Sequence, residues 1–233
     1  MKIAVCVSHV PDTATRIKIG ADRKAIDPTG VTYIINPYDE FAVEEALKTK
    51  EKIGGDSIVF IISVDGDANK ESIRKALAMG VDKGIMLKDD SSRDTFGVAH
   101  ALADEIKSLG CEIAFFGKQF VDFDNSITGQ VTGELLGYNS VSVVVDFKLE
   151  GSKITAEREI EGGREVVETE LPAIITTQKG LNEPRYASLK GIMASKKKTI
   201  TEKAAAQSQK YSEIIDMNLP ASNQAGRILG TDS

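Results

Sequence analysis

The chain has 233 residues, a formal net charge of −6 and a hydrophobic content of 41%. That length accommodates one large α/β domain with an arm, or two small domains, and the composition is that of a globular protein rather than a disordered one. With 29 Lys and Arg against 35 Asp and Glu, a nucleic-acid partner is excluded, because duplex binding needs a strongly positive face.

The first apolar run, residues 3–7, is too short for a membrane span and is followed by no cleavage-site pattern. It reads as a first strand, and a cytoplasmic chain that is not a membrane protein is expected. A polar loop is expected over residues 8–22. Asn36 and Pro37 then open a helix, Asn36 as its cap and Pro37 in its first turn. Phe41, Ala42, Ala46 and Leu47 give that helix an apolar face, with Glu44 four residues before Lys48 on the solvated side. Gly54 and Gly55 end it.

Residues 57–63 form a second buried strand, 71–79 a helix stopped by Gly80, and 84–87 a third strand. A longer helix over 95–109 stops at Gly110, a fourth strand covers 113–116, and a helix over 126–136 ends at Gly137. Strands alternating with helices of this length make βαβ units and a mostly parallel, Rossmann-like sheet. Near Ser140 the pattern changes. Strands at 141–149, 153–160 and 164–170 are joined by short Gly-containing turns, so an antiparallel hairpin extension is expected. Residues 173–177 are again apolar. Beyond Gly180 the alternation is lost and the chain becomes basic and polar. An α/β domain over residues 1–178 and a C-terminal arm over 179–233 follow.

The chemistry begins with exclusions. Cys6 and Cys111 have no metal-ligand spacing around them, and Cys6 reads as a buried thiol. No GxxxxGK[ST] loop, no GxGxxG after the first strand and no GxSxG elbow occur, so no catalytic residues and no metal site are expected. His9 follows the first strand, where a loop can meet a ligand; His100 lies within a helical repeat, at the solvated or core edge. The informative segment runs Gly117, Lys118, Gln119, Phe120, Val121, Asp122, Phe123, Asp124, Asn125, Ser126, Ile127, Thr128. It starts where a parallel strand ends and runs into a helix start, the place where open α/β sheets hold ligands. Hydroxyls, an amide and free backbone N–H groups at a helix start suit a phosphate. The other reading is that Asp124 and Ser126 merely cap the helix.

Residues 156–165 (AEREIEGGRE) and 171–177 (LPAIITT) resemble the signature of the electron transfer flavoprotein beta family. The resemblance continues in 181–189 (LNEPRYASL), the lysine run Lys196 to Lys198, Asn36-Pro37, 42–46 (AVEEA) and 76–80 (ALAMG), and covers residues 1 to about 200. It implies a fold like that of the adenine nucleotide hydrolases, with a structural AMP in this subunit, FAD held mainly by a partner alpha subunit, and a recognition loop and C-terminal arm over 179–233 that packs on that alpha subunit. The positions matching the AMP site are Cys6, Asn36, Pro37, Tyr38, Asp39, Val64 and residues 117–128. Val64 departs in side chain, which a backbone contact tolerates, and Thr13 stands where some relatives carry a tyrosine near flavin. Tyr38 matches an aromatic residue near the flavin ring, and Glu159 matches an acidic residue that meets an arginine on the mobile flavin-bearing domain of alpha. Tyr186, Leu189, Ile192 and Met193 fall in the recognition loop that docks on acyl-CoA dehydrogenases, with Leu189 as the plug. The lysine run can steer an acidic partner.

The implied role is an electron carrier between dehydrogenases and a membrane quinone oxidoreductase. Two other roles stand beside it: a bifurcating carrier with a second FAD in place of AMP, and a stand-alone nucleotide-binding module of the universal-stress type.

Overall fold

Strands that are apolar along their whole length need cover on both faces. The computed structural model, which describes residues 1–64, 66–89 and 93–221, contains such a sheet. In chain order its elements are β1 (Lys2–Cys6), β2 (His9–Pro11), β3 (Tyr33–Ile35), α1 (Pro37–Ile53), β4 (Ile58–Val64), α2 (Lys70–Met79), β5 (Lys83–Lys88), α3 (Thr95–Leu109), β6 (Ile113–Gly117) and α4 (Thr128–Leu136). There follow β7 (Asn139–Glu150), β8 (Lys153–Ile160), β9 (Gly163–Glu170), β10 (Ala173–Thr177), α5 (Leu189–Ser195) and β11 (Ile200–Ala204).

The strand order is β11-β5-β4-β1-β6-β10-β7-β8-β9. Every pairing from β11 across to β7 is parallel, and β7, β8 and β9 pair antiparallel, as the short turns require. Alternate residues of each strand serve the two faces. Ile3 and Val5 join Val59, Ile61 and Phe115 under α1 and α2, while Ala4, Cys6, Phe60, Ile62 and Phe116 face α3. At the junction with the hairpins β7 bulges, with Val143 at φ 62° and its N–H donated to Thr176 Oγ1 at 3.0 Å. A bulge bends a strand and increases its twist, and here it lies where β7 leaves the parallel sheet for the hairpin extension.

Four local expectations are corrected. The segment read as a polar loop after β1 contains β2, which pairs antiparallel with β3. Asn36 stands at the start of α1 but caps nothing with its side chain, because tertiary partners take both its amide atoms. α4 starts at Thr128 rather than Ser126, and neither Asp124 nor Ser126 caps it. Glu44 is buried at 5% exposure and does not pair with Lys48, whose partner is Glu45.

The segment read as an arm also contributes regular elements. It adds α5, and β11 pairs in parallel with β5 at the edge of the sheet. β11 carries two adjacent charges, and both find partners: Lys203 Nζ reaches Glu105 at 2.6 Å, and Glu202 accepts from Lys70 and Lys88 at 2.7 and 2.6 Å. Residues 222–233 of that segment lie outside the described residues.

Candidate functional site

β1 lies between β4 and β6, so the chain winds away from it in both directions. A switch point of this kind opens a crevice beyond the carboxyl ends of the strands. The crevice here is a cavity of about 610 Å³, within the range of small-molecule sites. Of the expected positions, Cys6, Val64, Phe120, Asp122, Phe123, Asn125 and Thr128 line it.

The remaining expected positions do not line the cavity, and several of them hold its floor. Asp39 is fully buried, and its carboxylate accepts from Ser8 N at 2.8 Å, Ser8 Oγ at 3.0 Å, Asn36 Nδ2 at 2.8 Å and Gly117 N at 3.1 Å. Burial pushes this carboxyl up to about 7, against four donors that all favour its charged form. Asn36 also donates to Gln119 O at 2.9 Å and accepts from Val121 N at 3.3 Å, which fixes the loop after β6 to the start of α1. Gly117 must be glycine, since a Cβ there would press on Asp39 Oδ1 and the Tyr38 backbone. Gln119 Nε2 and Asp124 Oδ1 close the loop at 2.5 Å, and Ser126 Oγ approaches Gln119 Oε1 at 3.4 Å. Ile127 is half exposed. Pro37 occupies the first turn of α1, and Lys118 Nζ lies 5.2 Å from the Tyr38 ring centre.

The cavity wall carries unsatisfied chemistry. Val131 N makes the first backbone bond of α4, to Ile127 O, so the earlier amides have no partner within the helix. Beside them Thr128, 4% exposed, has a buried Oγ1 with no partner, and Asn125 Oδ1 is buried without one. Asn125 Nδ2 is fixed by Thr95 Oγ1 at 2.6 Å, which aims its amide. A donor-rich helix start with a buried hydroxyl can take an anionic oxygen.

Further lining residues escaped the sequence: Ser8, Asn69, Lys24, Arg93 and Asp94, with Lys210, Ser212, Glu213 and Ile214 from the C-terminal segment. His9 lines it too, stacked on Tyr33 at 5.3 Å with its Nδ1 2.9 Å from Ser72 Oγ. Asp94 before Thr95 carries the signal of a helix cap, and it does cap α3 through Gly97 N at 2.9 Å. The tail carries no local signal.

Away from the cavity, Tyr186, Leu189 and Met193 are 99, 75 and 64% exposed, with Ile192 beside them. α5 is held from its other side. Ser188 Oγ accepts from Gly191 N at 3.0 Å, and Gly191 lies against Ala78 of α2, too close for any side chain. Glu159 is exposed on β8, opposite Arg164 on β9, and accepts from Gln178 Nε2 at 2.8 Å.

A family model described as "Electron transfer flavoprotein domain" matches residues 24–208. An "Electron transfer flavoprotein subunit beta" of Syntrophomonas wolfei is 40% identical over 97% of this chain and 88% of its own length. A protein of that name from Mus musculus is 39% identical over 86% of this chain and 80% of its own length. This chain belongs to the electron transfer flavoprotein beta family. The match to the family model extends from Lys24 to Ser208, from β3 through β11, and ends before the tail residues that line the cavity.

The lysine run of this family member divides in two. Lys196 and Lys197 are exposed, but Lys198 Nζ donates to Leu77 O at 3.3 Å and Val81 O at 2.5 Å, at the C-terminal end of α2. A cation there complements the last carbonyls of a helix. Lys198→Met keeps the stem and loses both bonds, so the melting temperature should drop by about 2–4 °C, for about 1 kcal/mol. A thermal melt checks this, and an unchanged midpoint would mean that the lysine serves only as surface charge. No helix among the described residues is long and apolar enough to cross a membrane.

Proposed function

We propose that this chain is the small subunit of a heterodimeric electron carrier, holding a structural AMP in the switch-point cavity while an alpha subunit holds most of an FAD. The buried, partnerless hydroxyl of Thr128, a residue that opens α4 and lines the cavity, is the observation that carries the reading. It offers a donor beside free helix amides, which suits a phosphate monoester. Asn125 Oδ1, also without a partner, is an acceptor for a ligand hydroxyl or amine.

When bound, the flavin supplies the electron transfer. Tyr38 has a half-buried ring that would offer the flavin a flat apolar face, and Thr177 Oγ1 steadies its backbone by donating to Tyr38 O at 3.2 Å. Glu159 is exposed and available to an arginine of the mobile domain, and an exposed pair is weak enough to break in every cycle. The exposed side of α5 docks acyl-CoA or related flavin dehydrogenases, and electrons pass onward to a membrane quinone oxidoreductase. The chain makes and breaks no covalent bond itself. Its residues bind, shield and orient.

The test is to express the chain with an alpha subunit, denature the pair and count nucleotides by mass spectrometry. One AMP and one FAD per pair are expected; two FAD and no AMP would replace this reading with the bifurcating one. Thr128→Val sharpens the test, because it keeps the shape and removes only the hydroxyl. AMP should dissociate about ten times faster, the equivalent of about 1.4 kcal/mol. The fold itself should hold or gain stability, since a buried polar group without a partner is a cost. Equal AMP retention in both proteins would remove Thr128 from the site.

A further inference from the structure

After β11 the chain turns back over the cavity, tied down at three successive points. At the root, Arg93 holds Ala206 O at 2.7 Å and approaches Ser208 Oγ at 3.4 Å. Its side chain is 7% exposed and paired with Asp89, so this anchor is buried in the body of the domain. In the middle, Asp94 uses one carboxylate oxygen to cap α3 and the other to accept from Tyr211 N at 2.6 Å and Ser212 N at 2.9 Å. The Tyr211 ring stands edge-on to Phe96 at 4.7 Å.

At the far end the tail meets Arg23, which comes from the loop between β2 and β3. Arg23 Nε and one terminal nitrogen donate to the two oxygens of Asp216 at 2.6 and 2.9 Å, and the same residue's carbonyl accepts from Met217 N at 2.7 Å. Asn218 also accepts from the guanidinium and donates to Asp216 Oδ2 at 2.7 Å. Arg23 adopts φ 57°, a left-handed conformation that costs a side-chain-bearing residue energy and persists only where surroundings impose it. Here that conformation presents guanidinium and carbonyl to the tail together. From Ser212 of the second tie the chain runs through Glu213 and Ile214 towards the third, and all three residues line the cavity.

We propose that residues 206–218 are a strap closing the nucleotide cavity, and that the Arg23–Asp216 clasp controls exchange of the bound nucleotide. The strap rests on the reading of the cavity as a nucleotide site, and it adds what retains the ligand. The clasp is exposed at both partners, 55 and 45%, so it is an ion pair that opens readily and is screened by salt. Its bidentate geometry places it among the exposed pairs that do contribute. The strap therefore opens from the Arg23 end while Arg93 keeps its root in place.

The test uses the heterodimer as purified and three variants: Arg23→Asp, Asp216→Arg and the double swap. Bound AMP is exchanged against isotopically labelled AMP. Each single variant should exchange about three to ten times faster than the parent, and the double swap should return to within about twofold of it. Parent exchange should accelerate with added salt, and the single variants should not respond. Hydrogen exchange of the Tyr211, Ser212 and Met217 amides, followed by mass spectrometry, reads the strap whether or not a nucleotide is present. These amides should be protected in the parent and the double swap and exposed in the singles. A parent pair without nucleotide but with protected amides would defeat the cavity reading and leave a strap that retains nothing, which overturns the proposed control of exchange. Unprotected amides in the parent, or single variants that exchange AMP at the parent rate, overturn the strap itself.

Discussion

Arg185→Ala should lower the stability of the folded chain by about 3 kcal/mol, which for a protein of this size is a fall of about 6–12 °C in melting temperature. Arg185 fastens the segment before α5 to α1. Its Nε and one terminal nitrogen donate to the two oxygens of Glu44 at 2.9 and 3.0 Å, and its backbone N donates to the same carboxylate at 3.0 Å. Glu51 takes the outer edge of the guanidinium at 2.5 and 3.0 Å. These charge-assisted bonds hold the guanidinium well above its usual pKa, so it is a fixed cation. Truncation strands Glu44 as a buried carboxylate at 5% exposure, and a buried charge that loses its partner costs about 3–5 kcal/mol. The lower end applies because Arg185 is itself 34% exposed at the side chain, so water partly replaces it. Arg185→Lys should recover less than half, since a point charge cannot bridge two carboxylates in one plane. Adding Glu44→Gln to Arg185→Ala should return a large part of the loss, because the stranded charge is then gone. Urea unfolding with an unchanged slope measures all three. A loss below about 0.5 kcal/mol for Arg185→Ala would show that Glu44 is solvated in solution and that the tie is ornamental.

The same pair marks the boundary of what the sequence discloses. α1 was legible because its apolar spacing, its proline and its terminal glycines all act within the helix. Glu44 was misplaced on the wet side because its lysine neighbour is local, whereas its actual partner lies 141 positions away. Asn36 has the same history. A helix start favours an asparagine cap on local grounds, and contacts to Gln119 and Val121 across the site override that preference. Buried parallel strands announce themselves, since both faces are covered and the run is apolar throughout. β2 and β3 are only three residues each, too short to stand out, and β11 carries the adjacent charges Glu202 and Lys203 close after three lysines. Half of the candidate site's wall was therefore visible. The loop after β6 shows a strand end and a phosphate-suited helix start in adjacent residues, while the opposite wall is assembled by Arg93, Asp94 and the tail from positions with no common local pattern.

Leu189→Ala is expected to leave the fold, the FAD and the AMP intact and to weaken docking to the donor dehydrogenase about thirtyfold. Leu189 opens α5 and is 75% exposed, between Tyr186 at 99% and Met193 at 64%. Its own chain gains little from it, so the substitution should shift the melting temperature by no more than about 1–2 °C. An apolar group held out on a short helix becomes valuable only when a partner covers it. Burying a leucine in such a groove contributes about 1.5–3 kcal/mol, and losing about 2 kcal/mol of that is close to thirtyfold in affinity. The platform would make such a contact specific, because Ser188, Gly191 and Lys198 fix α5 against α2 in the free chain. Little ordering cost is then left for the encounter. The measurement is the rate of flavin reduction in the heterodimer against dehydrogenase concentration, with a melting curve run beside it. Met193→Ala and Tyr186→Ala should reduce docking in the same direction by smaller factors, being neighbours on one exposed face. An unchanged concentration dependence for Leu189→Ala would remove this surface from the electron-donor interface, and a lowered melting temperature with it would reassign Leu189 to the packing of its own subunit.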